Sequence, residues 1–263
     1  MDDKVKEEFA RLQEAYANDT RQQSFNLLLL GESGTGKTFI ARTARKPVHI
    51  DSFDPGGTKG LRKQIAAGEV IVDTRYEGED PMAPSVYGEW KKNFLARVRM
   101  GYFNHIGTYM LDSSTTWSEA IMNQILKEAK IPGEAPRFTK DYTPQKIEIR
   151  NRVRQMLDLP CDFILTGHLK IIEDQVTGQP TYRFLTTGQG AVIIPLLFDE
   201  LWVMDPRKSP EGVAYRVLTK STGTHVARSR LASDGLLAQY EDPDLKAMLK
   251  KVGLPANDKP LLK

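Results

Sequence analysis

Gly31-Glu32-Ser33-Gly34-Thr35-Gly36-Lys37-Thr38 follows the apolar run Asn26-Leu27-Leu28-Leu29-Leu30 and precedes Phe39-Ile40-Ala41-Arg42-Thr43-Ala44-Arg45. The octet matches G-x-x-x-x-G-K-[ST] in the setting that gives the pattern meaning: a buried strand, a glycine loop, then a helix-compatible segment. The glycines let backbone N–H groups turn inward around a phosphate, and a helix N-terminus behind them adds partial positive charge. Lys37 is placed to reach the β- and γ-phosphates, and the Thr38 hydroxyl to ligate Mg²⁺. The stretch therefore implies a nucleoside triphosphate site with Mg²⁺ and an α/β fold around it.

Working outward, 263 residues fit one α/β domain with additions. A hydrophobic fraction of 40% supports a sizeable core and argues against general disorder. The net charge is only +3, so a nucleic-acid partner has to be sought in local clusters rather than in the total. A single cysteine, Cys161, excludes an intramolecular disulfide framework and suits a reducing, cytoplasmic compartment. Its neighbours Phe163, Ile164 and Leu165 mark it as a core residue. No apolar run approaches the ~20 residues that span a bilayer, and the charged N-terminus lacks a signal-peptide pattern, so no membrane association is expected.

Residues 1–22 read as a helical arm, with Val5, Phe9, Leu12 and Tyr16 at helical spacing, either packed on its own domain or docked on a neighbouring subunit. A core is expected over 23–232 and a polar tail over 233–263, the latter with a short helix at 244–252 stopped by Gly253. Within the core, strands are expected at 46–51 and 69–73, an amphipathic helix at 87–103, and a helix at 117–130. A loop at 131–142, a helix at 145–157 and a strand at 162–168 follow. After residue 169 the pattern turns β-rich: a hairpin around the turn Val176-Thr177-Gly178-Gln179, a short helix at 190–198, and strands at 200–204, 213–218 and 224–230. Helices alternate with strands early and strands follow strands late. That order predicts a mainly parallel sheet flanked by helices, with antiparallel strands added at the C-terminal side.

Gly107-Thr108-Tyr109-Met110-Leu111-Asp112-Ser113 is the second signal. An apolar strand ending in a carboxylate is what a Walker-B element requires, since Asp112 would orient Mg²⁺. The turn Asp51-Ser52-Phe53-Asp54-Pro55-Gly56-Gly57 ends the second strand with carboxylates of its own, and Asp162 to His168 is a buried strand ending in a polar residue.

In this order of parts the chain resembles the RecA-type recombinase core. More narrowly it is similar to the phage-encoded Sak-type single-strand annealing P-loop ATPases, through Thr166-Gly167-His168-Leu169-Lys170, the hairpin after it, and Phe198-Asp199-Glu200-Leu201-Trp202. The resemblance runs over roughly residues 24–232. It implies that Lys37 and Thr38 hold phosphate and Mg²⁺, and that Asp112 sits in the Mg²⁺ shell. It further implies that Asp54, or else Asp51, polarises the attacking water. The family usually carries Glu near that place, so the aspartate here sets the hydrolysis rate in question. His168 falls where recombinases place a residue that senses the γ-phosphate and signals to the DNA loop; the plain alternative is a satisfied histidine at the sheet's edge. Arg228 and Arg230, two apart in a strand, share a face. The resemblance places such a basic pair across a subunit boundary at the neighbour's ATP, whereas the residue pattern alone also fits a charged edge strand.

Between Lys127 and Arg154, eight basic residues stand against four acidic ones, a local +4 in a chain of +3. Arg137, Lys140, Lys146, Arg150 and Arg154 carry much of that charge, with Phe138 and Tyr142 interleaved. Cations that track phosphates and aromatics that stack on bases are what a sequence-tolerant single-strand site needs, though a solvated helix face with a surface loop has the same composition. The segment occupies the first mobile-loop position of the RecA-type core. Gln179, Tyr182 and Arg183 at the second are weaker candidates beside the acidic Glu173 and Asp174. The expected activity is therefore slow, DNA- or assembly-stimulated ATP hydrolysis by a homo-oligomer, ring or filament. Single-stranded DNA is the expected partner, with a single-strand-binding protein as a further one. A P-loop motor acting on duplex DNA or protein is the alternative; no lid or acceptor site points to a small-molecule kinase.

Overall fold

Leu27 and Leu29 point to one side of the first strand and Leu28 and Leu30 to the other, and all four are buried. An apolar run without alternation is what a strand covered on both faces requires. That strand, β1 (Asn26–Leu30), is central to a sheet of nine strands. The structure is a computed structural model and describes residues 2–19, 23–173, 178–186, 190–210, 212–232 and 235–261.

β1 pairs in parallel with β5 (Asp162–Gly167) on one side and β8 (Glu200–Met204) on the other. β5 continues in parallel to β4 (Thr108–Asp112), β4 to β2 (Val48–Ser52), and β2 to the edge strand β3 (Val70–Asp73). Beyond β8 the sheet turns antiparallel, with β11 (Val217–Leu218), β12 (Arg228–Ser229) and, outside β11, β13 (Tyr240–Glu241). The mainly parallel α/β fold with late antiparallel strands is as expected. The parallel direction brings the C-terminal ends of β1, β2, β4, β5 and β8 to one rim of the sheet, where ligands of open α/β folds bind.

One face is covered by α3 (Val86–Arg99), α4 (Ser114–Glu128), α5 (Tyr142–Leu157) and α6 (Gly190–Leu197), over a core rich in aromatics: Phe53, Tyr76, Trp90, Phe94, Phe103, Tyr109, Trp117 and Phe163. The other face packs Phe25, Ile40, Ile50, Met110, Ile164 and Trp202 against α7 (Leu245–Lys251). Leu237, Leu245, Met248 and Leu249 are buried there, so the polar-looking C-terminal stretch helps to close the second core. Lys259 pins its end, donating to the carbonyls of Asn104 and Ile106 at 3.0 and 2.6 Å.

Several expected elements differ in detail. The segment after the phosphate loop is a 3-10 helix, Lys37–Arg42. The helix expected over 87–103 stops at Arg99, because Gly101 takes a positive φ and a separate 3-10 turn, Tyr102–His105, follows. The strand expected over 213–218 is two pieces. Gly212–Ala214 (β10) forms a hairpin with Arg207–Ser209 (β9), and the chain rejoins the sheet at β11, with Arg216 paired to Asp205 at 3.0 Å. Only Arg228 and Ser229 of the strand expected over 224–230 join the ladder. The Ser221 hydroxyl holds both the N–H and the carbonyl of Ala227 and folds the preceding residues into a local turn.

The hairpin of β6 (Leu169–Glu173) and β7 (Pro180–Phe184) forms as expected, from Leu169 opposite Phe184 to Glu173 opposite Pro180. Asp174, Gln175, Val176 and Thr177, which begin its turn, lie outside the described residues, as do 20–22 at the end of the N-terminal arm. The arm itself is α1 (Asp3–Ala17), which has no buried residue. Val5, Phe9, Leu12 and Tyr16 are exposed, so packing of the arm on its own domain is corrected. Four apolar side chains among many charged ones do not hold it to the sheet's covered faces. Between β2 and β3 in the chain lie a 3-10 helix, Gly57–Leu61, and α2 (Arg62–Ala66).

Candidate nucleotide site

The phosphate loop leaves β1 at the ligand-binding rim with Gly34 and Gly36 at φ +77° and +90°. At Gly36 a Cβ would also meet the Tyr215 ring at 3.2 Å, so backbone conformation and crowding both require glycine there. Lys37 is buried, and its Nζ donates to the loop's own Gly31 and Glu32 carbonyls at 3.0 and 2.8 Å. Burial lowers the Lys37 pKa, against the pull of Asp112, Asp54 and Glu32.

Asp112 ends β4 and is buried. Thr38 Oγ1 donates to its Oδ2 at 2.6 Å, and the Thr166 hydroxyl donates to its Oδ1. Burial pushes the Asp112 carboxyl upward more than these two hydroxyls and Lys37 pull it down. A carboxylate beside a threonine hydroxyl and an ammonium, with only neutral donors touching it, is a donor set that fits a phosphate-bound divalent cation. The residues present thus fit ATP with Mg²⁺: the loop backbone and Lys37 on phosphate, Thr38 and Asp112 on the cation or its waters.

The turn after β2 brings Asp54 to the same place, its N–H directed at the Asp112 carbonyl at 3.4 Å. Ser113 Oγ donates to Asp54 Oδ1 at 3.0 Å, the Thr116 hydroxyl donates to the same oxygen, and His168 Nε2 lies 3.9 Å from Oδ2. Burial alone would raise the Asp54 pKa, but His168, Thr116 and Ser113 together hold it below the ordinary carboxylate value. Asp54 is thus kept ionised at the rim. Asp51 stands elsewhere, fully buried under the sheet's aromatic face. His49 Nε2 and Arg97 Nη1 donate to its Oδ1 at 2.9 and 2.8 Å, and Trp90 Nε1 and Tyr109 OH to its Oδ2 at 2.9 and 2.7 Å. With all four donors inside the core, this carboxylate has no lone pair facing the phosphate loop. Asp51 is therefore a structural residue, and Asp54 is the one of the pair that meets the Asp112 site.

Arg228 and Arg230 do reach the same way, but toward the end of α6. Arg228 Nη2 donates to the Pro195 and Phe198 carbonyls at 2.8 and 3.0 Å, and Arg230 Nη2 to the Leu196 carbonyl at 3.0 Å. Within one chain the pair caps a helix C-terminus, where orphan carbonyls and the helix dipole favour cations.

The basic segment divides. Arg137 is held by Asp141 through its backbone N–H and guanidinium, at 2.7 to 3.0 Å, whereas Phe138 is 88% exposed and Lys140 and Arg154 are exposed. Lys146 and Arg150, with Thr143 and Thr186, line a cavity of about 260 Å³ between α5 and α6 whose remaining walls include Ile149, Ile193 and Ile194. Tyr142 begins α5 and is half-buried. Tyr182 stacks on His225, ring centroids 4.3 Å apart and planes 3° from parallel, beside Arg183 on β7; Gln179 is exposed just before that strand.

Sequence reasoning missed Thr116, Thr166 and Tyr215. Thr166 sits two residues before His168 on β5, and Thr116 three after Ser113 at the start of α4, so both stood next to residues already singled out. Tyr215 had no such signal, since the 213–218 segment reads as one strand.

Comparison with known proteins agrees with this site. The AAA domain family model matches residues 24–231. The chain is 30% identical over 79 residues to the ATP-dependent zinc metalloprotease FtsH of Helicobacter pylori strain 26695, a match over 30% of this chain and 12% of that one. FtsH of strain J99 gives the same figures, so the matched stretch is a small part of both relatives. A KaiC-like protein of the archaeon Pyrococcus horikoshii OT3 is similar in structure with a TM-score of 0.43 and 16% identity, over 76% of this chain and 81% of that one. No helix among the described residues is long and apolar enough to cross a membrane. With the family model running from β1 through β12 and the phosphate loop, Thr38 and Asp112 assembled at the sheet's rim, the chain belongs to the AAA domain family and carries a P-loop nucleotide site.

Proposed function

We propose that this protein is an ATP-dependent single-stranded DNA-binding protein that anneals or pairs complementary strands as an oligomer, as the Sak-type proteins it resembles do. One observation carries the reading. His168 stands 3.9 Å from Asp54 at the nucleotide rim, and its carbonyl accepts from Leu185 N–H at 2.8 Å at the base of the β6–β7 hairpin. One residue therefore links the water-side carboxylate to a projecting loop. A change at the γ-phosphate position that moves Asp54 is passed to the hairpin through this contact.

ATP and Mg²⁺ supply the phosphoanhydride and the neutralising cation. The chain's own residues do the rest. The phosphate-loop N–H groups and Lys37 would hold the phosphates, Thr38 and Asp112 would hold the cation, and ionised Asp54 would accept a proton from water. Phe138, Lys140, Lys146, Arg150 and Arg154 offer aromatic and cationic contacts to a DNA strand, with Arg137 and Tyr142 beside them. Arg228 and Arg230 would exchange the α6 carbonyls for a neighbour's ATP when protomers assemble in a ring or filament. A single-strand-binding protein is a further partner in this scheme.

The second reading is a motor or remodelling ATPase acting on duplex DNA or protein, favoured by the stretch shared with FtsH. Titration of labelled single-stranded DNA at several salt concentrations, with and without ATP, separates the two. ATP-enhanced, sequence-independent binding that weakens with salt supports annealing. Absence of DNA binding in both nucleotide states refutes it and leaves the remodelling reading.

A further inference from the structure

Glu77 belongs to no motif and lies in the loop between β3 and α3. Its carboxylate nevertheless joins the two ends of the turn that carries Asp54. Ser52 Oγ donates to Glu77 Oε1 at 2.7 Å, and Gly56 N–H donates to Oε2 at 3.1 Å. Asp54 is midway between these donors in the chain.

The loop holding Glu77 is itself anchored. Tyr76 is buried with its ring stacked on Phe53 at 5.4 Å, and Arg75 is fastened to Asp73 at 2.6 and 2.8 Å. The turn it grips contains Pro55, Gly56 and Gly57, with Gly56 at φ +72°. Two successive glycines leave such a turn many conformations unless something outside it selects one. Ser113, Thr116 and His168 hold the Asp54 carboxylate from the sheet side, and Glu77 holds the backbone from the other.

We propose that Glu77 is a positioning residue for hydrolysis: it locks the Ser52–Gly56 turn and so fixes Asp54 against the attacking water, without touching the reacting atoms. This rests on the Asp54 role proposed above. A carboxylate spanning two donors is a charge-assisted clamp, and displacing a catalytic group by about 1 Å costs on the order of 10²-fold in rate.

The test compares wild type, Glu77→Gln, Asp54→Asn and the double variant in DNA-stimulated ATP hydrolysis, with amide hydrogen exchange read at Gly56. Gln keeps the size and one acceptor but cannot accept from both Ser52 and Gly56 through an anion. Glu77→Gln is expected to lower kcat about ten- to hundredfold with KM for ATP within about twofold of wild type, and to speed Gly56 exchange. In the Asp54→Asn background the same change is expected to cost nothing further, which a merely structural role would not produce.

Wild-type kcat in Glu77→Gln, an equal further loss in the double variant, or unchanged Gly56 exchange would each overturn the proposal. Wild-type hydrolysis by Asp54→Asn would instead remove the Asp54 assignment and the catalytic consequence drawn from it. Faster Gly56 exchange in Glu77→Gln would then show a clamp that exists without a catalytic role.

Discussion

Thr38 Oγ1 donates to Asp112 Oδ2 at 2.6 Å, and this bond joins the phosphate loop to the end of β4 across 74 residues of chain. Thr38 lies at the start of the 3-10 helix reached from β1 through the phosphate loop, and β1 and β4 are not neighbours in the sheet. β5 lies between them and contributes Thr166, whose hydroxyl occupies the other oxygen of Asp112. The cation site is therefore a three-strand construction, and its carboxylate is buried among neutral hydroxyls with one ammonium nearby.

That arrangement costs stability. Burial raises the Asp112 pKa, so above the folded value the ionised carboxylate is disfavoured by the fold. Asp112→Asn is expected to raise the thermal midpoint while abolishing Mg²⁺-dependent hydrolysis. Calorimetry and phosphate release on the same preparation check both halves; a lower midpoint contradicts the account.

Asp51 and Asp54 should separate cleanly. Asp51→Asn loosens a buried network with four donors and is expected to cost about 3–5 kcal/mol. Asp54→Asn leaves the core intact and is expected to cost ~0–1 kcal/mol but to lower kcat by ~10²-fold or more. Denaturant melts and steady-state kinetics on the two variants distinguish them.

If Arg228 and Arg230 reach a neighbour's ATP as proposed, their removal has one cost within the chain and another in the assembly. Arg230→Ala removes one carbonyl contact from a partly exposed side chain and is expected to spare ATP binding in the monomer. Assembly-dependent hydrolysis should fall ~10³-fold. Full ATPase activity in that variant would sink the shared-site reading. Arg228→Ala removes two partly buried contacts to the end of α6 and should also destabilise, by about 1–2 kcal/mol.

Glu148 on α5 accepts from Lys91 and Tyr87 of α3 and from Arg152 of its own helix. Burial would raise its pKa, but these three donors bring it down to about 2, from an ordinary 4.5. A depressed carboxylate stabilises the fold in full above its unfolded pKa and loses that contribution as pH falls through the folded value. The wild-type minus Glu148→Gln stability difference should hold steady from pH 7 to about 5. It should shrink between pH 4.5 and about 2.

Phe138 buries almost nothing in the fold, so Phe138→Ala should leave the midpoint unchanged. If the loop stacks on bases, single-strand affinity should fall by about 1–3 kcal/mol, measured by fluorescence anisotropy. Unchanged affinity would remove the aromatic part of the DNA proposal.

How far the residues alone reach follows from the range of the interactions involved. The phosphate loop, the strand ending at Asp112, the strand ending at His168 and the α/β class were legible because each is local: a period, a glycine spacing, an apolar run with a carboxylate after it. The residue pattern left Asp51 and Asp54 as alternatives because both sit at a strand end. Burial and four donors hold Asp51 inside the core and leave Asp54 at the rim, and those donors come from β2, α3 and β4. Likewise Thr166 met Asp112 only because β5 entered between β4 and β1, and Glu77 met Ser52 and Gly56 only through the stacking of Tyr76 on Phe53. The exposure of α1 and the turning of Tyr215 onto Gly36 had no periodic signature at all. The sequence by itself determined that a triphosphate loop lies at the end of a buried parallel strand, since backbone geometry and glycine freedom act over a few residues. Which carboxylates, hydroxyls and clamps surround that loop was decided by tertiary structure, because they are brought together by strand order and side-chain packing across tens of residues of chain.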